Sequence, residues 1–105
     1  MNALIVFSTA PNVAMARKIV GVILKKRLAA CAHLAPVGES HYWWKGRLEK
    51  AREVAMTFKT TKKSLPSLMR TLKQSHPYET PEIVAVRIQA GHPAYLKWLV
   101  KETRF

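Results

Sequence analysis

Cysteine is nearly missing from this chain of 105 residues. The single thiol, Cys31, rules out an internal disulfide and fits a reducing, cytoplasmic location. No apolar run reaches the roughly 18 residues of a membrane-crossing helix. The opening MNALIVFSTAP has neither a basic n-region nor a long apolar h-region, so it reads as a first strand and not as a signal peptide. Glycine occurs only four times and 49% of the residues are hydrophobic, which excludes a disordered chain. Acidic residues are also few: six against 18 Lys+Arg, for a formal net charge of +12. A surface so basic attracts nucleic acid, anionic lipid or acidic protein. The cations, however, come in short groups such as Arg17-Lys18, Lys25-Lys26-Arg27 and Lys62-Lys63, with no basic tail. A solvated basic face accounts for them. Repeats, low-complexity segments and linkers are absent as well. Residues 1–105 are expected to form one domain around one core.

The pattern that remains is clear. ALIVFST (residues 3–9) is short, apolar and rich in β-branched residues, as a central strand is. Beyond it the period changes to helical. Pro11 suits a first turn, and Val13, Ala16, Val20, Ile23 and Leu24 share one stripe. Lys25, Lys26 and Arg27 gather where the helix dipole favours cations. From Cys31 to Thr61 the chain reads as two strands joined at Lys45-Gly46. Val54, Met56 and Phe58 alternate with Glu53, Thr57 and Lys59, giving one buried and one polar side. Each arm could run about 15 residues, against a usual strand of roughly 5–6. Pro36 and Gly38 predict a bulge or bend in the first arm. SLPSLMRTLKQ follows as a helix, with Ser64 as N-cap and Leu65, Leu68, Met69 and Leu72 on one face. EIVAVRI is a further strand, and HPAYLKWLVKE a last helix whose apolar positions are Tyr95, Leu96, Trp98 and Leu99.

The order β-α-β-β-α-β plus a closing helix defines an α+β, ferredoxin-like sandwich. Right-handed crossovers place the first two helices on one face of an antiparallel sheet. The other face must meet water or another chain. Two short helices also cannot cover so long a hairpin. Its tip carries Tyr42, Trp43, Trp44 and Leu48, and exposed aromatic clusters of this kind mark interaction surfaces. Self-association is the expected outcome.

SHPYETPEI (residues 75–83) concentrates a histidine, a tyrosine, two glutamates and two prolines. Pro77 forces His76 into extended geometry and so ends the second helix. The two prolines shape a connection that sets Tyr78 and Glu79 in place. Glu79 and Glu82 are expected to partner backbone N–H groups or lysines.

LAAC at 28–31, SHYWWKG at 40–46, HPYETPEI at 76–83 and YLKW at 95–98 together resemble the CutA family of divalent-cation tolerance proteins. The resemblance covers essentially the whole chain, and four motifs in one order are far more specific than any one alone. It implies a tightly packed trimer of ferredoxin-like protomers whose long hairpins pair between subunits. It also implies kinship with the trimeric PII-like signalling proteins and a link to copper tolerance. Two departures stand out. Relatives suspected of binding copper can carry a Cys near the end of the first strand and two consecutive His before the proline of HPY. Here Ser8, Ser75 and His76 hold those positions. The hairpin turn, acidic in many relatives, is Lys45-Gly46-Arg47.

A copper or zinc site needs two to four converging Cys, His or carboxylate ligands. The metal candidates are His76 and Cys31. Cys31 is two residues from His33 on an expected strand, so the two share a face. No CxxC or HExxH spacing is present. A cysteine in such a strand more commonly packs as a small hydrophobe. No cofactor is obligatory, and copper(II) or another divalent metal is expected to bind weakly through His76. His41, beside the hairpin aromatics, is assigned to an interface. Catalysis lacks support, since no Ser-His-Asp spacing or nucleophile elbow exists. The acylphosphatase anion loop and the RNA-recognition aromatic pattern are both missing. The sequence therefore reads as a cytoplasmic, non-enzymatic homotrimeric module that binds divalent metal, a small ligand or a partner. The rival reading is an anion- or nucleic-acid-binding ferredoxin-like protein that uses the basic surface.

Overall fold

In the computed structural model, which describes residues 2–104, the first strand β1 spans Ala3–Ala10. Its even-numbered side chains Leu4, Val6, Ser8 and Ala10 are buried. Helix α1 (Val13–Lys25) starts from Asn12, whose side-chain oxygen accepts from the Met15 N–H at 2.8 Å. Pro11 therefore lies just before the helix and not in its first turn. Asn is among the strongest N-caps because its oxygen satisfies an otherwise orphaned N–H. Ala16, Ile19 and Ile23 carry the burial, while Val20 and Leu24 sit at the margin. The stripe is thus rotated slightly from the expected one, toward Ile19.

The helix stops abruptly. Arg27 has φ 59, in the left-handed region. The Leu28 N–H reaches the Ile23 carbonyl and the Arg27 N–H the Leu24 carbonyl. These two bonds form a Schellman motif with arginine where glycine usually sits. A left-handed non-glycine residue costs about 1–2 kcal/mol. The Arg27 guanidinium offsets part of this by meeting Glu102 Oε1 at 2.8 Å.

The first hairpin arm is split, as Pro36 and Gly38 required. β2 is Cys31–Leu34 and β3 is Gly38–Trp44. Both pair antiparallel with one strand, β4 (Arg47–Thr61), which runs unbroken for 15 residues. The turn is Lys45 (φ 51) and Gly46 (φ 77), the pair of positive angles that a two-residue hairpin demands. Helix α2 (Leu65–Ser75) buries Leu68, Thr71 and Leu72. Met69 is exposed instead of packed. Ser64 occupies the cap position, yet its hydroxyl makes no capping bond and is buried without a partner. His76 follows with φ −85 and ψ 138, the extended geometry forced by Pro77. β5 is only Val84–Arg87, starting two residues later than Glu82, and α3 is Pro93–Glu102.

The sheet order is β2-β4-β1-β5, with β3 extending the outer edge of β4. Every pairing is antiparallel. Val54, Met56 and Phe58 of β4 meet Val6 and Ala10 of β1 under α1 and α2, and this is the main core. Thr60 is also buried there and donates to the Leu28 carbonyl at 2.6 Å. The opposite face is only partly covered. Leu96 and Leu99 of α3 pack on Ala3 at one end of it. Phe7, Val84 and Val86, which the register brings side by side, stay exposed. Farther out, Trp43 is 72% exposed and its cross-strand partner Leu48 65%.

Among the described residues only two ion pairs form, Arg27–Glu102 and His41–Glu39, so a single Lys or Arg is matched to a carboxylate. The remaining cations repel one another without local compensation. Screening acts over about 10 Å at 0.1 M salt. The melting temperature is therefore expected to rise from low to moderate salt, followed by circular dichroism. A flat curve would show that the cations are too well separated to matter, and a falling one that they are already paired.

Candidate functional site

The connection between α2 and β5 folds back against the sheet instead of swinging free. Three short bonds explain this. The buried His76 ring meets the Thr9 carbonyl through Nε2 at 2.6 Å. Its Nδ1 meets the Tyr78 backbone N–H at 3.1 Å. A carbonyl can only accept and an amide N–H can only donate, so the tautomer is fixed: Nε2 carries the proton and Nδ1 is bare. The His76 and Tyr78 rings then lie 4.8 Å apart and tilted by 52°. Finally the Tyr78 phenol donates to Glu53 Oε2 at 2.9 Å, tying the connection to the middle of β4.

This tether frames a cavity of about 630 Å³ between the connection and the β3–β4 ribbon. Ser40, Tyr42 and Trp44 of β3 form one wall, Glu53 the floor, and Tyr78 with Glu79 and Glu82 the other wall. Its size is within the range of small-molecule sites. Burial pushes the Tyr78 phenol up to about 12, and the hydrogen bond to Glu53 and the negative charge there act in the same direction.

The two metal candidates are not brought together. His76 is fixed at Thr9, near the end of β1. Cys31 pairs with Lys59, which faces Ile5. The two positions are four residues apart along β1, roughly 13 Å at about 3.3 Å per residue. Cys31 is half-buried, with its Sγ 3.8 Å from the Tyr95 hydroxyl. Burial and this thiol both push Tyr95 upward. Among the described residues no three His, Cys, Asp or Glu side chains converge on one point. His33 shares a sheet face with Cys31 and is exposed. His41 contacts Glu39 at 3.3 Å. Glu79 and Glu82, expected to find backbone or lysine partners, are exposed and make no hydrogen bond or ion pair with any described residue. With α2 ending on His76 and the backbone turning at Pro77, they project beside the cavity instead of folding back.

Sequence reasoning singled out Tyr78 and Glu79 but missed Glu53 as the partner of Tyr78. Glu53 reads as an ordinary outward residue of an alternating strand. The Tyr78 contact to it crosses 25 positions of sequence, and only tertiary structure reveals it.

A ferredoxin-like protomer with an overlong hairpin and a proline-shaped connection beneath it is the class of protein defined by this architecture. The family model described as CutA1 divalent ion tolerance protein matches residues 4–102. The divalent-cation tolerance protein CutA of Citrobacter koseri is 42% identical over 98 residues, covering 93% of this chain and 85% of that protein. Protein CutA of Mus musculus is 40% identical over 97 residues; these are 92% of this chain but only 55% of the mouse protein. The crystal structure of CutA from Xylella fastidiosa matches with a TM-score of 0.95 at 34% identity, over 99% of this chain and 100% of that one. The chain belongs to the CutA1 divalent ion tolerance protein family. These names describe no reaction, and nothing in the comparisons favours the nucleic-acid-binding alternative. No helix among the described residues is long and apolar enough to cross a membrane.

The phenol–carboxylate contact can be read in solution. Tyr78 should titrate near pH 12 in an ultraviolet difference titration. Glu53→Gln removes the charge and should lower that midpoint, leaving it above 10 because burial persists. The folded state holds this proton more tightly than the unfolded chain, whose tyrosines titrate near about 10. The stability it contributes is therefore intact below pH 10 and lost as pH rises from 10 through 12. Tyr78→Phe should abolish both effects. An unchanged midpoint in Glu53→Gln would mean that the bond does not persist in solution.

Proposed function

We propose that this chain serves divalent-cation tolerance as a non-enzymatic module that assembles into a homotrimer in the cytoplasm, and that copper(II) binds to it weakly. The observation that carries the assembly is the exposed apolar surface. Trp43 and Leu48 project from one face of the ribbon, and Phe7, Val84 and Val86 line the uncovered sheet face. Patches of large apolar side chains on this scale are characteristic of interaction surfaces. A second copy of the same chain is the partner for which the PII-like resemblance argues.

Weak metal binding follows from the chemistry of the donors. Both nitrogens of His76 are already engaged. Ligation through it requires giving up the Tyr78 N–H or turning the ring away from Thr9. Cys31 supports it only as a separate, single thiolate. Soft-metal sites draw their affinity from several converging ligands, and Ser8 and Ser75 stand where better ligands could have been.

Light scattering at micromolar concentration tests the assembly. Three chain masses are expected, and Trp43→Ala or Phe7→Ala should shift the population toward smaller species. A stable monomer would remove the reading. Calorimetry with copper(II) tests the metal. Low affinity is expected, reduced further in His76→Ala. That variant should also lose about 1–3 kcal/mol of stability, because the Tyr78 N–H and Thr9 carbonyl lose their partner. Tight binding that survives His76→Ala but fails in Cys31→Ser would move the site to the thiol.

A further inference from the structure

The chain contains no aspartate and six glutamates, against 18 Lys+Arg. Three of those six, Glu53, Glu79 and Glu82, border the cavity between the ribbon and the 76–83 connection. None of the 18 cationic side chains lines it. On a protein of net charge +12 this is a local inversion of sign. Glu79 and Glu82 make no ion pair with a described residue, so their charge is not spent within the fold. Of the remaining lining, Tyr42, Trp44 and Tyr78 are aromatic and Ser40, His41 and Thr80 polar.

A bare metal ion does not match this geometry. The volume, about 630 Å³, is roughly twenty times the 30 Å³ or so that one water occupies in the liquid. No three carboxylate, imidazole or thiol groups among the described residues close on a common point. Aromatic walls reward an apolar body, and the faces of their rings attract positive charge. The chain already uses one of these rings in this way: the Lys45 ammonium sits 5.9 Å from the Trp44 ring centroid, within cation–π range.

We infer that this cavity binds an organic ammonium ion, an apolar body carrying one or more protonated amines. The body lies between Tyr42, Trp44 and Tyr78. The ammonium donates hydrogen bonds to Glu79 and Glu82. Glu53, already accepting from Tyr78, supplies charge and holds the phenol in place. Neither His76 nor Cys31 lines this cavity; His76 bears on it only by holding the Tyr78 N–H, so the amine is tested on metal-free protein.

Benzylamine, protonated at neutral pH, is a suitable probe, and benzyl alcohol is its neutral counterpart. Calorimetry with the full chain should show saturable binding of benzylamine, one per chain, and at least tenfold weaker binding of benzyl alcohol. Glu79→Gln and Glu82→Gln break no hydrogen bond or ion pair with a described residue. Each should weaken benzylamine by about three- to fivefold, as befits a partly exposed charge contact, with melting temperature unchanged. Trp44→Leu should weaken it further. Light scattering on the same samples reports assembly separately, so a failed trimer and a failed site are distinguishable. Equal affinity for amine and alcohol would overturn the inference in favour of a merely apolar cavity. So would no binding of benzylamine, or binding indifferent to both glutamate variants.

Discussion

The constraint on which everything else depends is a mismatch of length. A twisted strand of 15 residues extends for at most about 45 Å, whereas helices of 13 and 11 residues cover about 20 Å and 16 Å. No arrangement of α1 and α2 can shield all of β4. The fold resolves this by burying one half of the strand and leaving the other half as a ribbon. Val54, Met56, Phe58 and Thr60 are buried, while from Arg47 to Arg52 no residue is. The long axis of 44 Å against 26 and 24 Å is the visible result. The exposed tryptophans and the cavity at the base of the ribbon both follow from this single inequality.

A second dependence runs through His76. The His76 backbone closes helix α2, while its imidazole meets the end of β1 and orients Tyr78, which then reaches Glu53 on β4. Four separate pieces of chain are held by three hydrogen bonds of 2.6–3.1 Å. A histidine followed by a proline and flanked by carboxylates looks like a metal ligand on paper. In the folded chain both its nitrogens have structural duties, and its carboxylate neighbours border the cavity. The polar character of the SHPYETPEI stretch thus divides between two tasks, holding by His76 and Tyr78 and display by Glu79 and Glu82.

Much of the fold was legible because its signals are local. Alternation in EVAMTFKT, the Lys45-Gly46 turn, the Pro36–Gly38 interruption and the extended geometry before Pro77 each act within a few residues, and each appears where expected. Misses occurred where neighbours compete. Asn12 captured the helix start from Pro11 because a side-chain cap satisfies an N–H that proline merely lacks. Met69 stayed outside because Thr71 took the inward position on α2. The cavity was hardly legible at all. Its walls come from residues 40–44, 53 and 78–82, and no periodicity links segments that meet only after the sheet has formed. Charge gave one overlooked hint: half the glutamates of a basic chain fall in two short places, β4 and the 76–83 connection, that the fold then brings together.

The Lys45-Gly46 turn bears on how the molecule comes to be. Pairing between β3 and β4 starts beside the turn, Trp44 with Arg47, and zips outward through near neighbours in sequence. Pairing between β1 and β4 must instead join Ala10 with Val54 and Ala3 with Thr61. Hairpins close in about 1–10 μs, whereas contacts across long loops bear a larger entropic cost and arrive later. The topology therefore favours an order in which the ribbon, with Trp43 and Leu48 already facing each other across the strands, precedes the core that anchors it. During that interval the stickiest part of the chain is its earliest formed part. The lysines and arginines around the turn, Lys45, Arg47, Lys50 and Arg52, then act as gatekeepers: like charges keep nascent ribbons on different chains apart until a finished sheet is there to receive them.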